Sequence, residues 1–193
     1  RQMCIRDSLR GHVGRELRYA EEDKVATALE LSGYSDVQWN IKIINATDVW
    51  DAYYPSLDGA ALGKGVRVAV LDTGVLYTHP DLKGRVVWCV NTVLTKTYRG
   101  TDLSKCTDRN GHGTHVAGII AALINNAGTA GVASNVSIYA VKVLNDAGSG
   151  TYTDIAEGII EAVKGPDGVV GTADDAQVIS MSLGGSSDSS VLR

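Results

Sequence analysis

The sequence predicts an α/β fold of three layers, in which a doubly wound, mostly parallel sheet lies between two layers of helices. Apolar runs rich in β-branched residues, the kind found in strands buried on both faces, occur at 66–71, 137–144 and 178–183. Helical patterns separate these runs, and strands alternating with helices imply right-handed crossovers and parallel pairing. A chain of 193 residues with 44% hydrophobic and 21% charged content and three prolines can also bury one substantial core.

The elements follow in chain order. The opening RQMCIRDS back-translates, from Met3 to Asp7, to a run resembling a transposon end used in preparing sequencing libraries. Residues 1–8 are therefore expected to be an artefact, and Cys4 is given no role. Residues 9–36 are more charged, with room for a short strand at 13–19 and a short helix at 24–31 ended by Gly33. Residues 53–64 hold Pro55, Asp58, Gly59 and Gly63 and read as a loop. The strand at 66–71 then ends at Asp72. Residues 114–123 read as a helix whose small residues Ala117, Gly118, Ala121 and Ala122 make a closely packing face. After the strand at 137–144, Asp154 can cap a helix running through Ile155, Ile159 and Val163. The last strand, 178–183, enters Gly184-Gly185.

Several function classes are excluded. A formal net charge of -4 with no Lys/Arg cluster leaves nothing to neutralise phosphates, so no nucleic-acid partner is expected. No apolar run approaches the roughly 18 residues of a membrane span. The glycine-rich stretch 59–65, GAALGKG, precedes its strand and lacks the spacing and the hydroxyl residue of a phosphate-binding loop. His112 and His115 lie three apart, which raises a zinc pair, but metalloprotease histidines fall four apart with an intervening Glu, and Gly113-Thr114 supplies no such base.

Asp72, at the end of a buried strand, sits at the edge where open α/β sheets bind ligands. A carboxylate there can accept a bond from an imidazole Nδ1–H and fix its tautomer. Val68-Ala69-Val70-Leu71-Asp72-Thr73-Gly74 and, some forty residues on, Asn110-Gly111-His112-Gly113-Thr114-His115-Val116-Ala117-Gly118 resemble the aspartate and histidine motifs of the subtilisin-like serine proteases, in that family's order of Asp before His. Trp39-Asn40-Ile41 followed by Ile44-Asn45-Ala46 resembles the opening of many mature members. The resemblance covers 37–193 as the first half of a catalytic domain and makes 9–36 the tail of a propeptide. It implies a secreted, monomeric serine endopeptidase, made as a zymogen, acting on protein or peptide substrates and inhibited by its own propeptide. Asp72 and His112 would be catalytic and His115 would pack. The serine and the oxyanion-hole Asn are expected beyond Arg193, so the chain by itself should be inactive.

The same resemblance implies further sites. Gly148-Ser149-Gly150 and Ser182-Leu183-Gly184 are similar to the two edge segments that pair with extended substrate. Asp81, in His79-Pro80-Asp81-Leu82, is similar to a calcium ligand, joined by the Asn125 side chain and the carbonyls of Leu123, Ala127 and Thr129; this set falls within the six to eight oxygens that Ca²⁺ takes. The alternative there is a surface Asn-Gly turn. Cys89 and Cys106 flank an insertion similar to one in subtilisins of hyperthermophilic archaea, either as a disulfide or as two thiols. Asp167, Asp174 and Asp175 belong to a shortened version of a calcium-binding insertion of those enzymes, or to a solvated turn. The competing reading of the whole is a non-catalytic calcium-binding module that lost its nucleophile.

Overall fold

Strand β1 (Arg67–Asp72) is buried from Val68 to Asp72, as a run apolar on both faces requires. The computed structural model describes residues 38–53, 62–125 and 127–185; the readings of 1–8 as an artefact and of 9–36 as a propeptide tail lie outside these. The other strands are β2 (Val86–Asn91), β3 (Tyr98–Gly100), β4 (Ser137–Lys142) and β5 (Val178–Ser180), arranged in the order β3-β2-β4-β1-β5. β4 pairs in parallel with β1, Arg67 opposite Ser137 through Asp72 opposite Lys142. β5 joins the other side of β1 and β2 the other side of β4, both in parallel. Among the described strands, only β3 is antiparallel, on β2. The expected mostly parallel sheet is therefore present.

Element ends differ from the sequence reading in ways that bear on function. β1 extends to include Asp72. β4 stops at Lys142 because the amides of Val143 and Leu144 both turn inward to donate to Asp72 O, at 3.0 and 3.1 Å. β5 stops at Ser180, opposite Val70, so Ser182, Leu183 and Gly184 lie beyond the ladder.

Helices α1 (Trp39–Ile43) and α2 (Ala46–Tyr53) come first and bury Ile41, Ala46 and Trp50 in a satellite cluster with Leu62 and Ala130; Trp50 Nε1–H donates to Val132 O at 2.9 Å. The two larger helices cover opposite faces of the sheet. α3 (His112–Ala121) packs with the face carrying Val68, Val70, Ile138 and Ala140. α4 (Tyr152–Lys164) packs with the face carrying Ala69, Leu71, Tyr139 and Val141. The two sets alternate along β1 and β4, as the period of a strand dictates. α4 starts with a reciprocal cap in which Thr151 is the N-cap and Asp154 its N3 partner. Asp154 thus caps the helix from inside its first turn.

Cys89, on β2, is bonded to Cys106, at the end of a 3₁₀ turn (Leu103–Cys106), with Cα atoms 5.9 Å apart and no exposed surface on either residue. The loop so closed carries β3. In the chain-entropy account, a loop of this length destabilises the unfolded state by about 3 kcal/mol. Cys106→Ser should lower the unfolding free energy of the complete polypeptide by about that amount. Urea denaturation with and without reductant checks this: equal midpoints in the two conditions would remove the disulfide from the stability of the fold.

Candidate active site

The end of β1 meets the start of α3. His112 Nδ1 lies 2.8 Å from Asp72 Oδ1 and 2.9 Å from Oδ2, inside the 2.6–3.2 Å range of a working hydrogen bond. Asp72 has no exposed surface, whereas the His112 side chain is 48% exposed, so one edge of the ring is held by the protein and the other is open. Asp72 Oδ1 also accepts from Thr73 N–H at 2.7 Å. The meeting depends on Gly113, where a Cβ would fall 2.1 Å from Gly74 O and 3.1 Å from Asp72 Oδ1. Any side chain there would push α3 off β1.

A cleft of about 470 Å³ opens beside His112, with Gly148, Ser149, Gly150, Ser182, Leu183 and Gly184 all in its wall. The topology explains this. β4 and β5 flank β1, so the segments that leave them arrive on either side of the strand that carries Asp72. The first segment is held by Asn145, whose Oδ1 accepts from Ala147 N–H and Ser149 N–H at 2.9 and 3.1 Å, while its own N–H donates to Ser149 O at 2.8 Å. Leu144, Tyr152 and Ile155 add apolar surface.

Asp108, which no sequence motif singles out, is buried between the two motifs. Its Oδ1 accepts from Thr73 Oγ1–H, Asn110 N–H and Gly111 N–H, each at 2.9 Å. Its Oδ2 accepts from Thr114 N–H at 2.9 Å and Thr114 Oγ1–H at 2.6 Å. Burial opposes its charge, but the bonds from Thr114, Gly111 and Thr73 prevail and hold the carboxyl below the usual carboxylate range. A depressed folded-state value means that Asp108 contributes stability above pH about 3.8, which is lost as pH falls through the folded value. Lys142 likewise carries no sequence signal. It is buried, with Nζ donating to Thr73 O at 2.5 Å and to Asp146 Oδ1 at 2.9 Å.

His115 is exposed on α3, so it does not take the packing role expected of it. No group of three or more His, Cys, Asp or Glu side chains that could hold a metal occurs among the described residues, which leaves the His112–His115 pair without further ligands of those types. The carbonyl-rich Asp81 set is a different kind of site. Asp81 lies against the loop after α3: a Cβ on Gly128 would fall 2.4 Å from each of its carboxylate oxygens. Leu123 N–H donates to Asp81 O at 2.8 Å, Thr129 N–H approaches Asp81 Oδ2 at 3.2 Å, and Asn125 Oδ1 accepts from Ala127 N–H at 3.2 Å. The fold thus sets the Asp81 carboxylate, a hard-oxygen donor of the type calcium takes, against the loop that carries Leu123, Asn125, Ala127 and Thr129.

Asp167, Asp174 and Asp175 are engaged in a tight turn. Asp174 accepts from Asp167 N–H at 2.9 Å and Thr172 Oγ1–H at 2.6 Å, Asp175 from Gly171 N–H at 2.6 Å, and Asp167 from Val169 N–H at 2.7 Å. The Thr172 bond, set against a small desolvation cost, holds Asp174 below the usual carboxylate range.

The sequence profile of the Subtilase family (peptidase S8) matches residues 63–192. Subtilisin DY of Bacillus licheniformis is 47% identical over 131 residues, covering 68% of this chain and 41% of that protein. The major intracellular serine protease of Bacillus subtilis is 40% identical over 160 residues, covering 82% of this chain and 44% of that one. Among solved structures, sphericase superposes with a TM-score of 0.65 at 38% identity, over 83% of this chain and 48% of that chain. The chain spans about half the length, or somewhat less, of these relatives. The source organisms of these relatives are bacterial, so the closeness to subtilisins of hyperthermophilic archaea, expected from the insertion between Cys89 and Cys106 and from the segment holding Asp167, Asp174 and Asp175, is not supported. A profile covering most of the chain, with identities of this size, places it: the chain belongs to the Subtilase family.

Proposed function

We propose that the complete protein is a serine endopeptidase in which Asp72 and His112 are two members of an Asp-His-Ser triad. The serine would come from the part of its relatives' length that this chain does not span. One observation carries the reading: the buried Asp72 carboxylate holds Nδ1 of an imidazole whose other edge faces a cleft walled by two chain segments. With Nδ1–H donated to Asp72, Nε2 is the basic nitrogen. It can take the serine proton as the hydroxyl attacks the scissile carbonyl, and Asp72 stabilises the imidazolium so formed. Nε2–H then protonates the leaving amine, and water admitted to the acyl-enzyme repeats the cycle. The substrate would lie extended between Gly148-Ser149-Gly150 and Ser182-Leu183-Gly184 as an added strand, which fixes the carbonyl relative to His112.

Calcium would be held by Asp81, Asn125 and the carbonyls of Leu123, Ala127 and Thr129, pinning the loop after α3 to the turn after β1. The reading also includes a propeptide as an inhibitory partner and a monomeric enzyme. An extracellular location is proposed on the Cys89–Cys106 bond, since disulfides persist in oxidising compartments. Family likeness does not choose the compartment, because one relative is an intracellular protease. No helix among the described residues is long and apolar enough to cross a membrane.

Two experiments test the reading. In the complete protein, His112→Ala should lower kcat on a chromogenic peptide by about 10⁶-fold with KM little changed, the scale seen for the same loss in subtilisin, a relative. Turnover retained by His112→Ala would overturn its place in the triad, and an open reading frame with no Gly-Thr-Ser-type motif after Arg193 would favour the non-catalytic module instead. Calcium at a hundredfold excess over its dissociation constant should stabilise the complete protein by about 2.7 kcal/mol, and Asp81→Asn should weaken that response. An identical melting temperature with and without chelator would remove the calcium site.

A further inference from the structure

We propose that Asp108 is a positioning residue for the Asp72–His112 pair: its carboxylate ties the turn after β1 to the first turn of α3 and balances the positive end of that helix under His112. The inference rests on the triad reading above for its catalytic meaning, but its structural core is independent of it.

The donors that converge on Asp108 come from both halves of the site. Thr73 follows Asp72 directly, Asn110 and Gly111 precede His112, and Thr114 lies two residues after it. A carboxylate at neutral pH only accepts, so it orders both hydroxyls with their hydrogens toward it. Their lone pairs are thereby left to accept, and they do: Thr73 Oγ1 takes Gly113 N–H at 3.0 Å and Thr114 Oγ1 takes Leu76 N–H at 2.9 Å. Two cross-links between the β1 turn and α3 thus depend on Asp108 being an acceptor at both oxygens. An Asn there would turn one of them into a donor facing other donors.

The charge has a second use. His112 is the first residue of α3, at the positive end of the helix dipole. The N-cap, Gly111, makes no side-chain cap bond. Asp108 supplies the cap from outside the helix, on the amides of Gly111 and Thr114. Among the described residues, the charged groups bonded into the two motifs and their turns include Asp72, in contact with His112, Asp108 and Arg109 in the preceding turn, and Lys142 and Asp146, which bond Thr73 O and the Asn110 side chain. Asp146 pairs with Lys142 at 2.9 Å and with Arg109 at 3.8 Å. One acid thus answers two cations, and Asp108 is the anion that, with Asp72, tips the local balance negative.

The test uses Asp108→Asn, Thr114→Val and Thr114→Ser in the complete polypeptide, with two readouts. NMR titration should place the His112 midpoint about half a pH unit lower in Asp108→Asn, the size expected of a charge at a helix end. On a chromogenic peptide, kcat per phosphonate-titrated active site should fall about 10- to 100-fold with KM within about threefold, as expected when a reacting group is misplaced while substrate binding is preserved. Thr114→Val should lose part of this and Thr114→Ser should recover most of it. Should Asp108→Asn fail to fold, the Thr114 pair decides by the same two readouts. An unmoved His112 midpoint together with wild-type kcat per titrated site would overturn the proposal. Absence of any peptidase activity in the parent protein would instead sink the protease reading, while the His112 titration would still decide the role of Asp108.

Discussion

A carboxylate with no exposed surface has to be met by donors or give up its charge, and Asp72 is such a group at the end of the central strand. His112 Nδ1 and Thr73 N–H meet it on the side chain, while its own carbonyl receives the amides of Val143 and Leu144. Those amides end the β4 ladder and send the chain toward Gly148, Ser149 and Gly150. The same residue therefore anchors the imidazole and sets where one wall of the cleft begins. Around it, polar groups are answered in pairs: Thr73 O by Lys142, Thr73 Oγ1 by Asp108 and Gly113 N–H.

The insertion closed by Cys89 and Cys106 belongs to this arrangement. Cys106 O accepts from Val75 N–H at 2.9 Å and sits where a Cβ on Gly74 would be 2.4 Å away. Asn91 Nδ2–H donates to Lys105 O at 2.6 Å. The bonded loop is thus pressed against the turn that follows Asp72, and Asp108 comes two residues after its last cysteine. A feature that reads in sequence as a stabilising staple also delivers the buried acid between the two motifs.

Periodicity and motif carry what is legible in the sequence. β1 and β4 can be read because both faces are buried, and the Asp72–His112 contact because two specific motifs stand in a fixed order. β2 cannot: Val87 is exposed and the register shifts between Val86 and Trp88, which breaks the continuous pattern. β3, Tyr-Arg-Gly, has no pattern at all and exists through its pairing with β2 and through Arg99, which reaches Gly165 O and lies over Trp88. α3 begins two residues before its predicted start because Gly111 and Gly113 read as poor helix formers, while the cap that offsets them comes from Asp108, outside any local capping pattern. Thr151-x-x-Asp154 is a capping signal of which the Asp half alone is conspicuous. His115 takes a packing role by its motif, yet its place on α3 faces solvent.

The pairing of β1 also governs the order in which the site can form. Its partners on β4 and β5 lie about 70 and about 110 positions away in the chain, separations of the kind that slow folding because loop closure precedes any compensating contact. The turn that fixes His112, in contrast, closes between Asp108 and Thr114, six positions apart. The imidazole's seat is a local structure and the carboxylate's is not. A chain that has made its helices but not its sheet holds His112 with no partner, so the pair comes together only when the central strand is laid down, and a molecule that has not finished folding lacks the paired imidazole that the proposed triad requires.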